Sequence, residues 1–198
     1  MVTKGLMADQ LFLSYWLNGF TLQNMLRHYE KMLHLFPFSR LMMGASVFKV
    51  IPIAYSEPAL IEQTFTMPEQ SGDLVSSAKT FQNEDCSFRL ESFWDLWQFD
   101  GEWKLAPARV ALSCFGPAFE DAEEQLQIEF GIDALFLPQP ELPNYARMAQ
   151  YNIRSLLKLV HDLDDALSVD RRKLWSESGE NFAEQLEVAL RETSGARE

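Results

Sequence analysis

The sequence predicts an α+β protein: a mainly antiparallel sheet with a ferredoxin-like β-α-β-β-α-β start, extended by a β-meander and a C-terminal helical pair. Three observations predict it. Residues 125–137, QLQIEFGIDALFL, alternate apolar and polar positions, as a strand with one buried and one wet face does. Leu22, Met25, Leu26, Tyr29, Leu33 and Phe36 recur at spacings of three and four, one apolar helical stripe. Asp100-Gly101 sits between two aromatic-rich runs, a signature of a tight hairpin turn.

The elements follow in order. Residues 8–17, ADQLFLSYWL, alternate loosely and predict a strand. Asn18-Gly19 gives a turn, Thr21 is the expected N-cap of the first helix, and Pro37 ends that helix. Residues 43–55, MGASVFKVIPIAY, are apolar on both parities, as in a strand covered on both faces, with Pro52 at an edge or bulge. Residues 59–67 lie between Pro58 and Pro68 and predict another strand. Leu74, Val75, Ala78 and Phe81 then fall at helical spacing.

In the next block Cys86, Phe88, Leu90, Trp94 and Leu96 share one strand face, while Arg89, Glu91, Phe93, Asp95 and Trp97 share the other. A two-residue type I′ turn at Asp100-Gly101 pairs Gln98 with Trp103 and Trp97 with Lys104. It places Trp94, Leu96, Trp103 and Leu105 on the core face. Farther from the turn this register sets Leu90 against Ala111, so a β-bulge at Ala106-Pro107 is expected to restore the pairing of Leu90 with Leu112.

From residue 142 the pattern turns helical. Leu142, Ala146, Ala149, Ile153, Leu156, Val160, Leu163 and Leu167 keep a 4-3-4-3 spacing, a seam that calls for a partner helix. Residues 180–192, with Phe182, Leu186 and Ala189, supply a shorter stripe that covers about half of it, leaving room for a second subunit. The chain divides into a sheet portion, 1–138, and a helical segment, 139–198, packed on it or on a second subunit, together one domain.

Composition narrows the function classes. The chain of 198 residues is 47% hydrophobic and carries a net charge of −12, which disfavours nucleic acid and anionic membrane surfaces as partners. No apolar run approaches the length of a membrane span, and the N-terminus lacks the pattern of a signal peptide. Two cysteines, Cys86 and Cys114, are too few for a disulfide scaffold, so a cytoplasmic setting is expected. The P-loop, dinucleotide, zincin, nucleophile-elbow and C-x-x-C patterns are all missing, and no cofactor is implied.

Two groups of residues remain as candidates. Phe93, Trp97 and Phe99, with Lys104 lying over Trp97 as a cation–π pair, form a ligand or interface surface on the outer side of the hairpin. His161, Asp164 and Asp165 form a candidate metal site, because His161 and Asp165 are one helical turn apart. His28 and His34 read as flank and surface histidines, Cys114 as a buried strand thiol, and Met25, Met32, Met42 and Met43 as the makings of a Met-rich pocket. Three functions follow in descending order: a non-catalytic, self-associating interaction module that pairs through the 142–167 helix; a binder of an apolar or aromatic small molecule; and an enzyme with a dispersed acidic or metal site near His161.

Overall fold

The computed structural model describes residues 10–132, 135–136 and 141–177. The strands are β1 Gln10–Leu17, β2 Ser46–Pro52, β3 Ile61–Phe65, β4 Cys86–Asp100, β5 Glu102–Phe115, β6 Leu126–Ile132 and β7 Val169–Ser176. The helices are α1 Met25–Leu35, α2 Ser71–Thr80 and α3 Tyr145–Ala166. The seven strands form one antiparallel sheet in the order β3-β2-β4-β5-β6-β1-β7.

The mixed architecture and antiparallel sheet match expectation; the ferredoxin-like pairing is not found. β1 lies between β6 and β7, with β4, β5 and β6 separating it from β2. The chain therefore crosses about four strand spacings of roughly 4.8 Å each between β1 and β2. α1 has eleven residues, about 16 Å of helix, and its flanking loops supply the rest. The local order of elements is readable from periodicity, but it does not say which strands become neighbours. Thr21 does not cap α1 directly: its carbonyl accepts from the N–H groups of Asn24 and Met25, and the helix begins after that turn.

One face of the sheet is the core. Leu11, Leu13 and Tyr15 of β1, Phe48 and Val50 of β2, Phe88 and Leu90 of β4, Leu112 and Cys114 of β5, and Ile128 and Phe130 of β6 are fully buried on it. The helices close over them with Met25, Tyr29, Met32 and Leu33 of α1, Leu74 and Ala78 of α2, and Leu156, Val160 and Leu163 of α3. Each large apolar side chain buried in this way contributes about 1.5–3 kcal/mol. Met25 and Met32 belong to this core while Met42 and Met43 are exposed, so the four methionines form no common pocket. Tyr29 donates its hydroxyl to the Leu112 carbonyl at 3.1 Å, tying α1 to the central strand. His28, expected on the flank of α1, is buried, with 3% of its surface accessible, beside Phe20.

The long β4–β5 hairpin keeps one register from end to end, Ser87 opposite Phe115 and Asp100 opposite Glu102. There is no bulge at Ala106-Pro107. The odd residue is taken up in the turn itself, where Gly101, at φ +73, alone occupies the left-handed region between the paired Asp100 and Glu102. The predicted pairing of Leu90 with Leu112 holds, but near the tip every pairing moves by one residue. Trp103 now pairs with Phe99 and Leu105 with Trp97, so both join the outer face; Leu105 is 46% exposed. Trp94 and Leu96 stay in the core.

β7 has no counterpart among the predicted elements. Residues 169–176 alternate too weakly to announce a strand, yet they pair with β1 from Leu11 to Leu17. The predicted second helix, 180–192, lies outside the described residues.

Candidate functional site

The sheet's outer face is built from the alternate residues of the same strands. Strand register aligns Lys49, Arg89, Ser113, Gln127, Ser14 and Lys173 in one row across six strands. The next row holds Val47, Glu91, Ala111, Glu129, Phe12 and Trp175. Between these rows runs a chain of ion pairs. Lys49 Nζ lies 3.1 Å from Glu91 Oε2, Arg89 Nε lies 3.4 Å from Glu91 Oε1, and an Arg89 amino group donates to Glu129 Oε2 at 2.8 Å. Burial pushes the Glu91 carboxyl up, but Lys49 and Arg89 outweigh it and hold the group below the ordinary glutamate value. Toward β1 the row ends in hydrogen bonds without ion pairs: Trp175 Nε1 donates to Ser14 Oγ at 3.0 Å, and Ser14 donates to the Glu124 carboxylate at 3.2 Å.

Beside the ion pairs the face opens into a trough of 580 Å³, within the size range of small-molecule sites. Ala111 and Gly131 line it at the middle of the sheet, where neither has a side chain large enough to fill it. Gly131 has φ +71, and a Cβ on it would stand 3.0 Å from the Arg109 carbonyl oxygen, so the position is reserved for glycine twice over. It sits in a β-bulge, where the β1–β6 register shifts between Gln10 and Phe12. Bulges of this kind collect at sites where a sheet must re-aim its side chains. The walls are Arg89, Glu91, Phe93, Arg109 and Glu129. Arg109 is exposed and makes no ion pair or side-chain hydrogen bond among the described residues. Glu129 uses Oε2 for Arg89, and its Oε1 carries no hydrogen bond among the described residues.

No protein-family model, curated protein or solved structure matches this chain. What the site can do is therefore read from its chemistry alone.

The structure separates the four hairpin residues singled out from the sequence. Phe93 lines the trough. Trp97 and Phe99 line a different, smaller hollow of 160 Å³ with Trp103, Leu135, Leu142 and Tyr145. Trp103 closes it, its ring 5.4 Å from Phe99 and 5.8 Å from Tyr145, and its Nε1 donating to the Pro143 carbonyl at 2.6 Å. Lys104 faces neither: the shifted register places it opposite Gln98, and it pairs with Asp100 at 2.6 Å instead of covering Trp97. The cation–π contacts lie elsewhere on the outer face, Arg171 over Trp16 at 3.7 Å and Lys173 near Trp175 at 5.8 Å.

The acidic end of α3 resolves into pairs. His161 Nε2 does lie 3.5 Å from Asp165 Oδ2, as the one-turn spacing required. Asp164, however, accepts from Arg172 of β7, and Asp162 from Lys158 one turn before it. Each anion near the helix C-terminus thus meets a basic partner, which offsets the unfavourable dipole. Among the described residues no group of three His, Cys, Asp or Glu side chains is placed to hold a metal. Cys86 and Cys114 are free and buried, and burial pushes both thiols up, the opposite of what a nucleophile requires.

The seam of α3 also finds its partner inside the chain. Leu156, Val160, Leu163 and Leu167 pack into the main core, so their periodicity needs no second subunit. At the other end of the helix Ala146 is exposed and Ile153 half-buried; both line a hollow of 660 Å³ that reaches Phe136 and Leu142, to either side of the undescribed 137–140.

Sequence reasoning missed Asn152. It is 2% exposed on α3, accepts from the Trp97 N–H at 2.9 Å, and donates to the carbonyls of Trp97 and Leu135 at 2.9 Å each. Its amide thus supplies the donor and acceptor that another strand would offer to β4 beyond the end of β2. A polar residue interrupting the buried face of an otherwise amphipathic helix was the available signal.

Proposed function

We propose that the protein is a non-catalytic binding module for a small molecule, and that the ligand lies in the trough on the outer face of the sheet. The observation that carries this reading is the trough itself. Four charged side chains from three strands converge around a hollow whose centre is kept open by Ala111 and Gly131. A sheet face needed only for solubility has no reason to keep small residues at its middle or to hold Arg89 in fixed geometry between two carboxylates. The reading retains the binding function expected of the hairpin face but moves it from Trp97 and Phe99 to Phe93 and the charged rows beside it. Among the described residues, the sequestered thiols and the paired-off acidic cluster supply no nucleophile or metal ligand set near it.

The test is a thermal-shift screen of carboxylates, phosphates, amines and neutral aromatics against the wild type and Ala111→Phe. Ala111 is 4% exposed with its side chain toward the trough, so the larger ring fills the site rather than the core. At least one compound class should raise the wild-type Tm by several degrees and leave the variant unmoved. A wild type that responds to none of the classes, or a variant that responds equally, overturns the proposal.

A further inference from the structure

The four charged side chains lining the trough sum to zero, but their polar groups are not all paired, and what is left over defines a ligand. Glu91 is engaged on both oxygens, by Lys49 and by Arg89. Arg89 is engaged by Glu91 and Glu129. The uncommitted groups are the guanidinium of Arg109 and Oε1 of Glu129. They stand on neighbouring strands: Glu129 pairs with Ala111, two residues from Arg109 on β5. Such diagonal neighbours are separated by about 7–8 Å, within reach of long side chains, yet among the described residues no ion pair joins Arg109 to Glu129. The nearby wall is apolar, with Phe93 opposite Arg109 and Val47 opposite Glu91.

From this arrangement we infer that the ligand is a free α-amino acid with an apolar side chain. Its carboxylate meets Arg109, whose planar fork of N–H donors matches a carboxylate bidentately. Its ammonium meets Glu129 Oε1, and its side chain lies against Phe93 and Val47. One cation and one acceptor set a short distance apart, next to an apolar wall, are complementary to the zwitterion and to neither half of it alone. Arg89 acts as a positioning residue: by gripping Glu129 through Oε2 it fixes the direction in which Oε1 points. The inference rests on the trough being the ligand site.

Calorimetric titration tests it with L-phenylalanine, 3-phenylpropanoate, which lacks the amine, and 2-phenylethylamine, which lacks the carboxylate. L-leucine and L-methionine serve as further probes. Phenylalanine should bind the wild type, and each truncated analogue should bind about tenfold or more weakly, the scale of one charge-assisted hydrogen bond. Arg109→Gln should weaken phenylalanine to a similar degree, with unchanged Tm because the side chain is exposed and unpaired. Glu129→Gln should weaken phenylalanine but leave 3-phenylpropanoate as it was, a difference that a merely unfolded variant would not give. No binding by any of the three amino acids overturns the inference, as does indifference to Arg109→Gln. If 3-phenylpropanoate binds as tightly as phenylalanine and Ala111→Phe abolishes both, the ligand class is wrong while the trough stands as the site.

Discussion

The two faces of this sheet are made by the same strands and do opposite things with their residues. On the helix-covered face β4 contributes Phe88, Leu90, Trp94 and Leu96, large groups with 0–4% of their surface accessible. On the outer face the intervening residues are Arg89, Glu91, Phe93 and Asp95, long or charged groups held at partial exposure. At the centre of β5 the contrast is sharpest: Leu112 fills the core while its neighbour Ala111 leaves a hollow. A face built for stability fills its middle with large side chains. The outer face surrounds a hollow with charge and leaves small residues at its centre, the feature on which the proposed ligand site rests. The difference can be broken from either side, and the inner side gives the larger effect.

Phe88→Ala removes a fully buried ring that packs against Tyr29 and Phe48, at centroid distances of 6.2 and 6.0 Å. The expected cost is about 3–5 kcal/mol, since a cavity is left between α1 and the central strands. Urea unfolding followed by tryptophan fluorescence measures it. A loss near 1 kcal/mol, well short of that range, would mean that the inner face is not the tightly packed one.

Asn152→Ala tests a place where the inner side depends on polarity. Its removal leaves the Trp97 N–H and the Trp97 and Leu135 carbonyls without their bonds. The expected cost is about 1–3 kcal/mol, the penalty of buried groups left unsatisfied. Hydrogen exchange localises it: the Trp97 amide should lose protection while amides of the β1–β7 pair keep theirs. Unchanged protection at Trp97 would show that the strand edge has another cover.

The same contrast explains how much of the molecule is legible in its sequence. Periodicity reports burial, so the inner face can be read off residue by residue from Phe88 to Leu96. The hairpin tip cannot, because Asp-Gly fits both a two-residue turn and the turn observed, and the choice moves every partner by one. That single ambiguity produces the superfluous bulge, puts Trp103 and Leu105 on the wrong face and draws Lys104 over Trp97. β1's position beside β7 is equally hidden, since strand order depends on contacts between segments far apart in the chain, Leu11 meeting Ser176. The trough needs both: its walls come from β4, β5 and β6, and its key positions, Ala111 and Gly131, are conspicuous only as absences of side chain. Phe93 alone is marked in advance, by its aromatic ring, while Arg109 and Glu129 look like ordinary solvated charges.

The smallest expected effect separates the faces by pH. His28 lies on the inner side, and burial, followed by repulsion from Arg27 and Lys31, lowers its pKa below the ordinary 6.5. A group whose folded pKa is depressed takes up its proton first in the unfolded chain. The stability it contributes is therefore intact above about pH 6.5 and is lost as pH falls below that value toward the folded pKa. Glu91 lies on the outer side with its pKa held below 4.5 by Lys49 and Arg89 against the upward push of burial. Its contribution persists to about pH 4.5 and is lost only below it. Melting temperature measured from about pH 7.5 to about pH 3.5 should thus fall in two stages. His28→Gln should flatten the first stage and Glu91→Gln the second. Added salt should shrink the second more than the first, because the Lys49–Glu91–Arg89 pairs are partly exposed to screening while burial, the larger cause at His28, is not screened. A first stage that survives His28→Gln would place the near-neutral proton uptake elsewhere and remove the inner face's claim to a group held neutral by burial.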